Sequence, residues 1–130
     1  MSSFNFQWVA TSEVLEATLD PQQTYLDTKM ISEEIRQHIQ DRGIKKAHLM
    51  LDVSRFDFTP RNRIVLTTLL LPLFIDELID WCILYGTDRK IMSLMGSTLT
   101  FSIRGRMRSA PERTSAIDKL REKGVYIQLA

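Results

Sequence analysis

The chain has few of the residues that usually carry chemistry. Its 130 residues include one cysteine, two histidines, five glycines and four prolines. A single thiol, Cys82, cannot close an internal disulfide. With no signal peptide visible, the expected setting is a reducing cytoplasm. His38, His48 and Cys82 lie far apart in the chain, so no metal-site spacing is present. There is no Gly-x-Ser-x-Gly elbow, no Gly-x-x-x-x-Gly-Lys-Ser/Thr loop, and no Gly-x-Gly-x-x-Gly after a strand. Long apolar runs are also missing. Residues 64–75 form the longest, interrupted by Thr67, Thr68 and Pro72, and a membrane span needs about 18. The sequence therefore leads us to expect no metal, no cofactor, no membrane span and no enzymatic activity.

What remains is an ordinary folded domain. Hydrophobic residues make up 44% and charged residues 25%, which fits one globular unit over residues 1–130 with a real core. A net charge of +1 gives no reason to expect nucleic-acid binding, but its distribution is uneven. Residues 1–85 hold eight Lys/Arg against twelve Asp/Glu, a balance of −4. Residues 86–130 hold nine against four, a balance of +5, with Arg104, Arg106 and Arg108 close together. Such a patch is either a solvated face or a contact for an anionic lipid, a phosphate or an acidic partner.

The chain is organised around residues 47–62. Ala47 to Val53 is a short, nearly unbroken apolar run, which predicts a strand buried on both faces. Arg55-Phe56-Asp57-Phe58 follows, and Thr59-Pro60 opens a helix with Thr59 as N-cap and Pro60 in the first turn. In an open α/β sheet, the mouth beyond a strand's carboxyl end is where sites form.

Other elements fall on either side. Phe4, Phe6 and Trp8 alternate with polar residues, as do Leu15, Ala17 and Leu19 with Glu16 and Thr18. They predict an N-terminal antiparallel hairpin, with the first set reading as a half-buried strand. Asp20-Pro21 starts a helix that Gly43 ends, with Leu26, Met30, Ile31, Ile35 and Ile39 as its apolar stripe. The helix from Pro60 is apolar on more than one side, and Pro72 should end or kink it. Residues 81–85, Trp-Cys-Ile-Leu-Tyr, predict the next strand. A helix over 89–103, an edge strand or loop at 107–110, a helix from Pro111 to Gly124 and a closing strand at 125–129 complete the pattern. His48 reads as a core or second-face residue of its strand, and the acidic pairs Glu33-Glu34 and Asp76-Glu77 as solvated surface.

At this point Leu51-Asp52-Val53-Ser54-Arg55-Phe56-Asp57-Phe58 resembles the hallmark of STAS domains, the fold of anti-sigma-factor antagonists, in which a buried strand ends in Leu-Asp-Leu-Ser before a short loop and a helix. Thr18-Leu19-Asp20 is similar to that family's entry into its first helix. Ala116-Ile117-Asp118-Lys119-Leu120 is similar to the last helix of a related lipid-carrier-like branch. The resemblance implies a single α/β domain with a mixed sheet of four to five strands, an N-terminal β-hairpin and helices packed mainly on one face. It also implies a non-enzymatic bacterial signal-transduction module that binds a kinase or switch protein.

The sequence departs from the family at one functional motif. Regulatory members carry Asp-Ser-Ser-Gly after the loop, where a serine at the helix N-terminus accepts phosphate. Placing the motifs together sets Pro60-Arg61-Asn62-Arg63 there, with no serine. Thr59 and Ser54 remain as phosphoacceptor candidates, and Arg61 and Arg63 would make the helix N-terminus an anion or partner site. The alternative is a carrier of a lipid or other apolar anionic ligand, its groove between helices 64–75 and 89–103 and Arg104, Arg106 and Arg108 at the mouth. A homodimer through the apolar helix or an open sheet edge fits either reading.

Overall fold

The computed structural model describes residues 6–10, 12–21, 25–57, 59–87 and 105–128. The predicted helix over 89–103, Arg104, Phe4 and Phe58 lie outside them. The described elements are β1 (Gln7–Trp8), β2 (Val14–Thr18), α1 (Tyr25–Arg42), β3 (Ala47–Asp52), α2 (Pro60–Ile75), β4 (Ile79–Tyr85), β5 (Met107–Ala110) and α3 (Arg113–Glu122). One five-stranded sheet runs in the order β1-β2-β3-β4-β5. β1 pairs antiparallel with β2, placing Trp8 opposite Leu15, and the other pairings are all parallel.

The period-2 alternation of the strands divides their side chains between two cores. Leu15, Ala17, Leu49, Leu51, Cys82 and Leu84 meet α1 and α2 on one face. Val14, Met50, Ile83 and Tyr85 meet Ala116, Ile117 and Leu120 of α3 on the other. Hence β3 is apolar at nearly every position, as expected of a central parallel strand covered on both sides. The β3–β4 register shifts between Ala47 and Leu49, a bulge that accommodates Asp80 and Trp81.

The second side of α2 is partly explained by α1. Ser32 Oγ donates to the Leu69 carbonyl at 3.0 Å, and Arg36 bridges to Asp76 at 2.7 Å. Ile64 and Ile75 remain exposed, at 48% and 66%. Pro72 lies inside α2, which continues three residues past it and ends at the C-cap Asp76. Its missing N–H removes the single bond that residue 72 would have made to the carbonyl four residues back, and less than one turn of helix follows it.

Two expectations are corrected. Pro21 does not open α1 as a first-turn residue. It is a bend whose carbonyl accepts from Asp57 N–H and the Asn62 amide, and the described span of α1 is Tyr25–Arg42. Residues 125–128 form no strand. Val125 N–H donates to the Leu120 carbonyl at 3.1 Å, and Arg121 donates to the Ile127 carbonyl, so the segment is clipped to α3. Ile127 is nevertheless buried, so the apolar alternation there reflects packing without a ladder.

Candidate functional site

At the carboxyl end of β3 the chain leaves the sheet under tight control. The Asp52 carbonyl accepts from Leu19 N–H at 3.0 Å, and Val53 N–H donates to the Tyr85 carbonyl at 2.8 Å. The Asp52 carboxylate then turns back and accepts from Ser54 N–H at 2.9 Å, an Asx-type turn. Gly86 presses against this turn with φ +98°. A Cβ there would stand 2.8 Å from Ser54 Cβ and 2.9 Å from Asp52 Oδ1. Phe56 is buried in the α1/α2 core and anchors the loop from below.

The helix that follows is capped as the sequence predicts. Thr59 is the N-cap of α2, with φ −69° and ψ 160°, and its hydroxyl accepts from Asn62 N–H at 3.2 Å. Asn62 is the residue that sequence reasoning missed. Its buried side-chain amide donates to the Asp57 carbonyl at 2.7 Å and the Pro21 carbonyl at 3.2 Å. Asp57 N–H also reaches the Pro21 carbonyl, at 3.1 Å. One amide thus ties the β2–α1 bend to the β3–α2 loop. A polar residue on an otherwise apolar helix face, three positions after a cap, was the available signal.

Thr59 and Arg61 are exposed and Arg63 is half-buried, all within the first turn of α2. Ser54 is exposed at the other end of the same loop. The helix N-terminus and the two guanidinium groups make this a positively biased surface around a hydroxyl. Ile64 adds an exposed apolar side chain one residue further. Arg106 and Arg108, the described members of the basic cluster, are elsewhere, at the β5 edge. Arg106 pairs with Asp80 at 3.6 Å. Arg108 donates to the Gly105 and Met107 carbonyls at 3.1 and 2.7 Å and lies over the Trp81 ring.

A second polar cluster was not anticipated. The sequence places Glu16 on the outward side of the hairpin, yet it is only 4% exposed. It faces α3, where Arg113 clasps it with both Nε (2.8 Å to Oε2) and Nη2 (3.0 Å to Oε1), Tyr85 donates its hydroxyl, and Gln7 donates at 3.2 Å. Burial alone would push the Glu16 carboxyl up, but the bonds from Arg113, Tyr85 and Gln7 outweigh it and hold the group below its ordinary 4.5. Tyr85 is raised, by burial first and then by its bond to Glu16. Burial pushes the Cys82 thiol up to about 12, which makes it a poor nucleophile. Among the described residues no group of three or more His, Cys, Asp or Glu side chains is placed to hold a metal. No helix among them is long and apolar enough to cross a membrane.

No family model matches the chain, and no curated protein matches it significantly. Among solved structures, it is similar to the Bacillus cell fate determinant SpoIIAA in its phosphorylated form. The TM-score is 0.57 at 17% sequence identity, over 92% of this chain and 100% of that one. SpoIIAA is an anti-sigma-factor antagonist built on a STAS domain. Among the described residues, a five-stranded mixed sheet with its hairpin edge, two helices on one face and a third on the other give this chain a STAS-like fold.

Proposed function

We propose that the chain is a non-enzymatic regulatory module of bacterial signal transduction, which binds a protein partner through the loop from Ser54 and the first turn of α2. One observation carries the reading: an exposed hydroxyl, that of Thr59, caps α2 at the mouth beyond the central strand, in a fold shared with a protein solved in phosphorylated form. A phosphoryl group on that oxygen would meet the N–H groups of the first turn and the guanidinium groups of Arg61 and Arg63, the environment that favours a dianion. Thr59 stands next to the position of the family's phosphoacceptor motif, which Pro60-Arg61-Asn62-Arg63 occupies here without a serine. Ser54 is the weaker acceptor candidate, because it stands at the strand end, outside the helix turn. The partner is a kinase or switch protein, and Ile64 supplies the apolar contact beside the charged one.

The test is an affinity pull-down from native lysate, with intact-mass analysis of the recovered chain. A stoichiometric protein partner, or a phosphate adduct lost in Thr59→Ala, supports the module. The charge-reversed pair Arg61→Glu and Arg63→Glu is expected to weaken partner capture about tenfold or more without lowering Tm. Unchanged capture removes this turn from the interface. Recovery of a bound lipid and no protein partner would instead favour the carrier reading.

A further inference from the structure

At the amino ends of the parallel strands, the opposite end from Thr59, a cavity of about 330 Å³ opens between the sheet and the segment that follows α3. Ser12, Glu13, His48, Gly124, Val125 and Tyr126 line it. Its floor is the start of two neighbouring strands, where His48 N–H donates to the Glu13 carbonyl at 2.9 Å and holds the two residues side by side. The opposite wall is kept in place by Arg121, whose Nε and Nη2 donate to the Ile127 carbonyl at 3.2 and 2.7 Å. The buried Ile127 pins the same segment to the sheet.

The lining side chains offer acceptors and few donors. Ser12 Oγ gives its only proton to the Val9 carbonyl and accepts from Val14 N–H. Glu13 is exposed and brings a carboxylate. His48 Nδ1 is buried and has no hydrogen-bond partner among the described residues. Burial lowers the His48 pKa, with Lys46 adding to it, and Asp80 and Glu13 oppose the shift without overcoming it. A neutral imidazole keeps one nitrogen as an acceptor. Nδ1, whether it is the accepting nitrogen or the N–H, is unfavourably left buried and unpaired. A half-turn about Cβ–Cγ exchanges Nδ1 with Cδ2 and presents the nitrogen at the other edge of the ring.

We propose that this cavity is a second ligand site, taking a compact organic cation. The N–H groups of its ammonium or amidinium meet the Glu13 carboxylate and the His48 imidazole, and its apolar part lies against Val125 and Tyr126. An anion would face the Glu13 carboxylate, and only the single N–H of the neutral His48 ring could receive it. The volume is at the small end of small-molecule pockets, which limits the occupant to a single ring or a short chain. The site is independent of the partner-binding reading, so either one survives the failure of the other.

The experiment is an NMR titration of the whole chain with benzylammonium chloride, reading the ring signals of His48 and Tyr126. Benzyl alcohol serves as the neutral control and benzoate as the anionic one. Saturable shifts of both rings are expected, with a Kd on the order of a millimolar. Benzyl alcohol should bind about tenfold more weakly, and benzoate should not saturate. Glu13→Gln, at an exposed position, should weaken benzylammonium about tenfold while leaving Tm unchanged. His48→Phe should weaken benzylammonium while leaving the Glu13 carboxylate to keep part of its preference over the alcohol. Saturation by benzoate, absence of any saturable shift, or equal benzylammonium affinity in Glu13→Gln overturns the proposal.

Discussion

Gly86 shows how closely the two strand ends are fitted at the candidate site. Its φ of +98° is a conformation side chains rarely adopt, and its α-carbon leaves no room for a methyl group beside Asp52 and Ser54. Gly86→Ala is expected to cost about 1–3 kcal/mol in urea unfolding. It should also disturb the Ser54 amide signal, because the Asx turn must shift. A neutral substitution would mean that the turn is slack. Asn62 makes a parallel case without backbone strain. Asn62→Ala leaves the Pro21 and Asp57 carbonyls without that donor in a largely buried place, and about 1–3 kcal/mol should be lost. Hydrogen exchange should accelerate at both loops together. Acceleration at one loop alone would contradict the tie.

Among the elements, α2 and α3 are held by different means. At α2 the cap is local, so Thr59→Ala should cost about 1 kcal/mol and Thr59→Ser much less. Loss of function in Thr59→Ala is therefore interpretable only beside the serine variant. At α3 the fastening is a carboxylate from a distant strand. Glu16 is held below 4.5 in the folded chain, so its contribution is complete above that value and fades as pH falls through the lower folded value. The stability gap between the wild type and Glu16→Gln should be widest near neutral pH and narrow below 4.5. A gap constant with pH would show that Arg113 binds the amide as well as the carboxylate. These contrasts also explain what was legible in sequence. Thr59-Pro60, the apolar run of β3 and the Ile31, Ile35 and Ile39 stripe of α1 are local signals, so their elements were readable, although Met30, set with that stripe, is 41% exposed. Glu16 was read as outward because its strand alternates cleanly, and nothing local says that a helix from the far end of the chain covers that side. The same limit hid Asn62, whose partners lie in two other loops. The closing segment at 125–128 misled for the opposite reason: its alternation is real, but a ladder also needs a neighbouring strand edge to receive it.

At the scale of the whole molecule, one sheet separates two cores. Leu49 and Met50 are adjacent in sequence and face different ones. Neither core can persist once the sheet between them is lost, so unfolding should be a single transition. The two tryptophans provide the check. Trp8 packs on the α1/α2 side and Trp81 on the α3 side. Trp8→Phe and Trp81→Phe each leave one reporter, and the fluorescence of each variant should share its midpoint with that variant's far-UV circular dichroism. Separate midpoints within either variant would mean that the faces unfold independently.

The strand order has one more consequence. Chain order and spatial order coincide across the sheet, β1 to β5. Each new strand therefore docks on the one synthesised just before it, and no position must be kept open for a later arrival. The sheet can grow from one edge in step with the ribosome. The face covered by α3 is the exception: Arg113 clasps Glu16, and Ala116, Ile117 and Leu120 pack with Val9 and Val14, so this face closes only after β5 has been made.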